Sequence, residues 1–397
     1  MYPFEFHNPV RIIFGRGELS RAGTEAAALG GKAMLVSYKE HEFFAELLAE
    51  LRGLLEAAGV GVCGFFEITP NPQIGQCRRG VETCEAEGVD LVIGVGGGSA
   101  MDAAKIIAAG ARYGGDIWNM VVSRHDDVRA VPPDEALPML MIPTLPATGS
   151  EMNCCAVVTN EQTTEKSYAW APCLFPKLSI VDPRLTCTLP PYQSACGAAD
   201  TIAHVMEFYL NGRERAPLNN RIQEAVMLTV MENVPKVLAD PNDLAARGEL
   251  QWASIVALNG WSQPGDAWTP MHQIGHVLSA RHGVTHGASL SIVMPAWMRH
   301  LHGRRPARYV QFAERVFGID SEGRDAADVS LEAVDRFEAF LKKIGVQTRL
   351  SEAAVGADDV EGIIEDVVRI SFGANGKLAG RPPIDRDDLK RILELAL

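Results

Sequence analysis

Five of the ten histidines are His204, His272, His276, His282 and His286, and four of these fall within the fifteen residues from 272 to 286. Singly, each would read as an ordinary core or surface residue. Together they supply the imidazole nitrogens from which metal sites and proton relays are built. In GAADTIAHVMEFY (197–209) the step from Asp200 to His204 is four residues, which puts a carboxylate and an imidazole on one helix face, where they can share an ion. His272 and His276 repeat that spacing in MHQIGHVLSARHGVTHG (271–287), and Gly283 and Gly287 mark a chain break that can return His286 toward the same point. Imidazole and carboxylate without thiolate suit a borderline divalent ion such as Fe²⁺ or Zn²⁺. Such an ion is a Lewis acid for an alcohol or carbonyl oxygen.

A second constellation is DLVIGVGGGSAMDAAK (90–105), an apolar run, then Gly96, Gly97, Gly98 and Ser99, then a helical pattern. A strand that turns tightly into a helix aims free backbone N–H groups and the positive end of the helix dipole at one point, which suits a phosphate. The same glycines would also serve an ordinary tight turn. The motif departs from the dinucleotide fingerprint, because Ser99 stands at the expected third glycine and the turn is not the first of the domain. PTLPATGSEMN (143–153) follows another apolar run as a loop follows a strand. Its hydroxyls are cap or turn residues in the plain reading and nucleotide contacts in the functional one.

These side chains need elements to hold them. From 30 to about 185, short apolar runs (KAMLVS 32–37, GVCGFFEI 61–68, VDLVIGVG 89–96, LPMLMIP 137–143, LSIVDP 178–183) alternate with helical patterns at 43–59, 73–87 and 99–111. That rhythm predicts a mostly parallel, Rossmann-like sheet covered on both faces. After Pro190 and Pro191 the texture becomes long amphipathic helices, such as 198–210 and 220–240. Two domains are expected in a chain of 397 residues: an α/β dinucleotide-binding domain over 1–185 and an all-helical metal-binding and catalytic domain over 186–397. A formal charge of -13 has the wrong sign for a nucleic-acid or anionic-lipid partner. The eight cysteines form no C-x-x-C pair and read as reduced thiols, and no leader or membrane span is evident, so a cytoplasmic location is expected.

GGGSAMDAAK, TLPATGSEMN, DTIAHVME and the HQIGH to HGVTHG stretch, in this order and spacing, resemble the iron-containing alcohol dehydrogenase family over nearly the whole chain. Within it, TLPATGSEMN and the extra His282 look most similar to the butanol dehydrogenases and NADPH-dependent aldehyde reductases. The resemblance implies a dehydroquinate-synthase-like fold with its active site in a cleft between the domains, and a homodimer. It implies Asp200, His204, His272 and His286 as metal ligands, with His276 left as a proton relay and His282 as a second catalytic candidate. Gly97, Gly98 and Ser99 would hold the pyrophosphate, Asp102 would lie near the nicotinamide, and Asn71, Thr144, Thr148, Asn153 and Lys166 would line the nucleotide site. Where NAD-preferring members end the first strand with an aspartate, this chain has Tyr38 and Lys39, which favours NADP(H) over NAD(H). The NADPH-dependent relatives carry a glycine-rich stretch here that SYKEHEFF (37–44) lacks.

A small primary alcohol or aldehyde is the expected substrate. A polyol dehydrogenase is one alternative, and a dehydroquinate synthase-like lyase on the same fold is another. The lyase would need several basic residues to grip its substrate, whereas residues 261–286 offer Arg281 beside Trp261, Pro264, Trp268 and Met271. A metal-dependent phosphohydrolase would want more bridging carboxylates, and a plain metal-binding protein would leave the glycine loop idle.

Overall fold

The computed structural model describes residues 3–39, 42–122, 130–213, 216–263 and 268–397, without the side chains of 42 and 43. Glu40, His41 and Pro264 lie outside the described residues. Two compact units are present. One holds 7–189 and 242–251; the other holds 1–6, 190–241 and 252–397.

The first unit is built on strands β1 (Arg11–Phe14), β2 (Lys32–Tyr38), β3 (Gly61–Ile68), β4 (Leu91–Gly96), β5 (Met139–Pro143) and β8 (Leu178–Val181). They form one parallel sheet in the order β1-β8-β5-β4-β2-β3. Helices α1 (Ala22–Ala27), α2 (Glu42–Ala57), α3 (Ile74–Ala86) and α4 (Gly98–Tyr113) connect them. Alternate residues enter two separate cores: Met34, Val36, Val92 and Met141 join one, while Ala33, Leu35, Ile93 and Ile142 join the other. A sheet buried on both faces accounts for the near-continuous apolar runs of its strands. The chain leaves β2 toward β3 on one side, and after β4 it proceeds to β5 on the other, so the carboxyl ends of β2 and β4 flank the point where strand order reverses. Crevices at such points bind ligands in open α/β sheets.

The unit also carries two strands that the pattern of apolar runs does not predict. Strands β6 (Cys155–Asn160) and β7 (Glu165–Trp170) form a separate antiparallel hairpin that packs on α3 and α4. Its polar residues Asn160, Glu165, Lys166 and Ser167 are buried, which blurs the alternation a half-buried strand would show.

The second unit is helical: α5 (Pro191–Asn211), α6 (Pro217–Ala239), the later part of α7 (Leu244–Leu258), α8 (Pro270–His282), α9 (His286–Leu301), α10 (Pro306–Phe317), α11 (Ala326–Lys343), α12 (Val360–Ser371) and α13 (Arg386–Ala396). Every residue of α5 from Ser194 to Asn211 is buried, so this helix is the core of the unit. Its polar residues must therefore find partners inside the protein. Among the described residues no helix is long and apolar enough to cross a membrane.

Candidate functional site

On α5, Asp200, His204 and Glu207 follow at steps of four and three, so one helical face carries all three side chains. That face meets α8, where Pro270 occupies the first position and starts the helix that carries His272 and His276. Gly283 ends α8 in the left-handed conformation at φ 68°, and α9 begins three residues later at His286. Gly287 lets the first turn of α9 lie directly on α5. A β-carbon there would sit 2.0 Å from the backbone oxygen of Cys196.

The result is convergence on one atom. Oδ1 of Asp200 lies 3.5 Å from Nε2 of His286, 3.6 Å from Nε2 of His272 and 3.9 Å from Nε2 of His204. Four ligands around one ion at bond lengths of roughly 2.1 Å stand about 3.4 Å apart in a tetrahedron, so the spacing fits a shared divalent ion. The candidate ligand atoms of Asp200, His204 and His272 all lie within 4.8 Å of one another. Asp200, His204 and His272 are buried, and Nε2 of His272 makes no hydrogen bond. Burial pulls the His272 imidazole toward its neutral form, but Asp200 and Glu207 outweigh it and raise the group to about 9. So concentrated a negative environment attracts either a proton or a metal.

His276 lies on the same face of α8, buried, with its ring centroid 5.3 Å from that of His286 and 6.3 Å from that of His272. His282 is the last residue of α8, half-buried, and its Nε2 makes no hydrogen bond.

At the other constellation the carboxyl ends of β2, β4 and β5 lie side by side. Gly97 caps α4 without any side-chain cap, which leaves the first turn's dipole uncompensated by a side chain. A β-carbon on Gly98 would stand 2.5 Å from the methyl of Thr148, so the loop and the 144–153 segment touch. The amide of Thr144 donates to the Gly96 oxygen at 2.9 Å. Asn71, held at φ 56°, links two expected contacts: its amide donates to Ser99 Oγ at 3.2 Å, and its Oδ1 accepts from Lys166 Nζ at 2.7 Å. The half-buried Tyr38 faces the glycines, its hydroxyl oxygen 3.2 Å from where a Gly97 β-carbon would be, and burial pushes its phenol up to about 12. Lys39 is exposed.

Asp102 and Asn153 have their polar atoms engaged within the unit. Asp102 accepts from the Ser150 hydroxyl at 2.6 Å and the Val157 amide at 2.9 Å. Asn153 donates to the Thr148 and Gly149 oxygens, while its Oδ1 accepts from the Cys155 amide and from Lys105 Nζ. Lys105, which the sequence reading passed over, also donates to the Asn153 and Cys155 carbonyls. Asp102 and Lys105 thus strap the 144–153 loop to α4. A charged pair three residues apart within the otherwise apolar stretch 100–111 was the signal for it.

The family model for iron-containing alcohol dehydrogenase matches residues 9–183, and that for the Fe-containing alcohol dehydrogenase family, C-terminal, matches 194–397. The chain belongs to the iron-containing alcohol dehydrogenase family. It is 34% identical to a probable NADH-dependent butanol dehydrogenase of Bacillus subtilis and 31% identical to the NADPH-dependent aldehyde reductase YqhD of Escherichia coli, in both cases over 100% of each chain. The crystal structure of NADH-dependent butanol dehydrogenase A from Thermotoga maritima superposes with a TM-score of 0.93 at 35% identity, covering 100% of this chain and 99% of that one. The chain is therefore an NAD(P)-dependent alcohol dehydrogenase, of a family that works with an iron-type divalent metal.

Proposed function

We propose that this iron-containing alcohol dehydrogenase family member interconverts a small, uncharged primary alcohol and its aldehyde, with a preference for NADP(H). The observation that carries the reading is the approach of three imidazole nitrogens to Oδ1 of Asp200. Asp200, His204, His272 and His286 hold the metal. When bound, it supplies a Lewis acid for the substrate oxygen. Gly97, Gly98 and Ser99 receive the pyrophosphate, and Asn71, Thr144, Thr148 and Lys166 fix the rest of the nucleotide. His276, beside the ligands and not among them, holds the proton that the substrate oxygen gains as the aldehyde is reduced.

An uncharged substrate is supported by Arg281, which donates to Asp366 at 2.7 Å and so is engaged elsewhere. The apolar residues named with it differ in setting and do not carry this reading: Met271 is fully buried, Trp261 is exposed and Trp268 lies under the Arg381 guanidinium at 4.7 Å. NADP(H) is supported by the missing carboxylate at Tyr38 and the exposed Lys39; the relatives include both NADH- and NADPH-dependent enzymes. The test is an anaerobic assay of Fe²⁺- and Zn²⁺-loaded protein with butanal and each reduced cofactor. Turnover that requires metal, with the larger kcat/KM for NADPH, is expected. Full activity after rigorous chelation overturns the metal assignment, and an NADH preference overturns the cofactor assignment. Lys39→Ala should erode the NADPH preference.

A further inference from the structure

Glu207 is the last residue of the DTIAHVME stretch, where it has no role assigned, and it is wholly buried in the core of the helical unit. Its Oε1 accepts the backbone amide of His272 at 2.8 Å and lies 3.2 Å from the same residue's Nδ1. Its other oxygen accepts from Asn211 Nδ2 at 3.2 Å, one further turn along α5. The carboxylate therefore grips His272 twice, by main chain and by ring, and is itself held by Asn211.

A carboxylate can only accept, so the Nδ1 that faces it carries the proton and Nε2 is left as the lone-pair nitrogen. Nε2 is the atom that points at Asp200 Oδ1. We infer that Glu207 is the positioning residue of the metal centre: it selects the imidazole tautomer of His272 and holds the ring so that Nε2 is presented beside Asp200, His204 and His286. This rests on the metal-centre reading above. The helix geometry explains how one element does two jobs. Asp200 and His204 face the centre, and Glu207, three residues past His204, reaches behind it to the partner helix. Outer partners of this kind typically change metal affinity about 10- to 100-fold when removed.

The test uses the full chain and Zn²⁺ alone, with affinity measured by competition against a chromogenic chelator and folding checked by circular dichroism. Glu207→Leu, similar in size and without an acceptor, should weaken Zn²⁺ about 10- to 100-fold. Glu207→Gln should stay within about threefold of the unaltered chain, because an amide oxygen accepts the same two bonds and Asn211 can turn its own amide to match. Rescue by Gln separates orientation from mere space filling. A folded Glu207→Leu that binds Zn²⁺ as tightly as the unaltered chain overturns the inference. Should Glu207→Leu fail to fold, the nitrogen spectrum of the zinc-loaded unaltered chain decides: coordination of His272 through Nε2 with a protonated Nδ1 is expected, and coordination through Nδ1 overturns it. An unaltered chain that takes up no Zn²⁺ overturns the metal-centre reading, and this inference with it.

Discussion

At the scale of single residues, two histidines on one face of α8 should fail differently. His272 brings its Nε2 to within 3.6 Å of Asp200 Oδ1, and on the proposed ligand set His272→Ala leaves two imidazoles and one carboxylate. Metal content and activity should fall together and recover partly at high metal concentration. His276→Ala should keep its metal and lose kcat by about 10²- to 10⁴-fold, the usual worth of a general acid. Elemental analysis beside kinetics checks both, and loss of metal from the His276 variant alone would reverse the roles. Glu151, in the same loop as Thr148, supplies a different test. It is buried, its Oε1 has no hydrogen-bond partner, and burial raises its carboxyl to about 7. A folded-state value above the unfolded one means that ionisation opposes folding. The group's contribution is most favourable below about pH 4.5, declines as pH rises toward 7, and is constant above that. Glu151→Gln abolishes the ionisation, so it should stabilise the chain little at pH 5 and by about 3 kcal/mol at pH 8, in urea unfolding. An equal effect at both pH values would show that Glu151 is not the titrating group.

Elements position these residues, and the contact of α9 with α5 is the least forgiving. Gly287→Ala would drive a β-carbon into the Cys196 backbone, which cannot turn aside as a side chain would, and the first turn of α9 must lift off α5. His286 is the neighbouring residue, so Zn²⁺ affinity should fall at least about tenfold along with about 1–3 kcal/mol of stability. Gly303→Ala, with open space at its β-carbon, is the control that should change neither. Much of this was legible beforehand. The runs at 32–37 and 137–143 appear as β2 and β5, because a strand buried on both faces must be apolar throughout, the run at 61–68 appears as the edge strand β3, and the four-residue spacings of Asp200 with His204 and His272 with His276 hold on α5 and α8. The β6–β7 hairpin was not legible, since Asn160, Glu165 and Lys166 turn inward and erase the expected alternation. Glu207 was missed for a related reason. A lone acid on a helix ordinarily faces water, and only the burial of α5 among the neighbouring helices α6, α8 and α9 encloses this one.

At the scale of the molecule, the chemistry divides by unit. Asp200, His204, His272 and His286 lie in the helical unit, whereas Tyr38, Asn71, Gly97, Thr144, Thr148 and Lys166 lie in the α/β unit. On the proposed ligand set a metal would join side chains from three helices, so its binding free energy would be added to the packing of α5, α8 and the start of α9. A ligand at one hundred times its dissociation constant contributes about 2.7 kcal/mol against unfolding. On the proposed nucleotide site a dinucleotide would instead tie the ends of β2, β4 and β5 to the 144–153 loop. Amide hydrogen exchange resolves the two, because it reports opening segment by segment. Zn²⁺ added to metal-free protein should slow exchange at α5, α8 and the first turn of α9. NADP⁺ should slow it at the first turn of α4, at Asn71 and along 144–153. Zinc that protects the glycine loop while leaving α5 and α8 unchanged would place the metal away from Asp200. Protection by NADP⁺ confined to the helical unit would remove the glycine loop from the nucleotide site, so each ligand tests its own unit without reference to turnover.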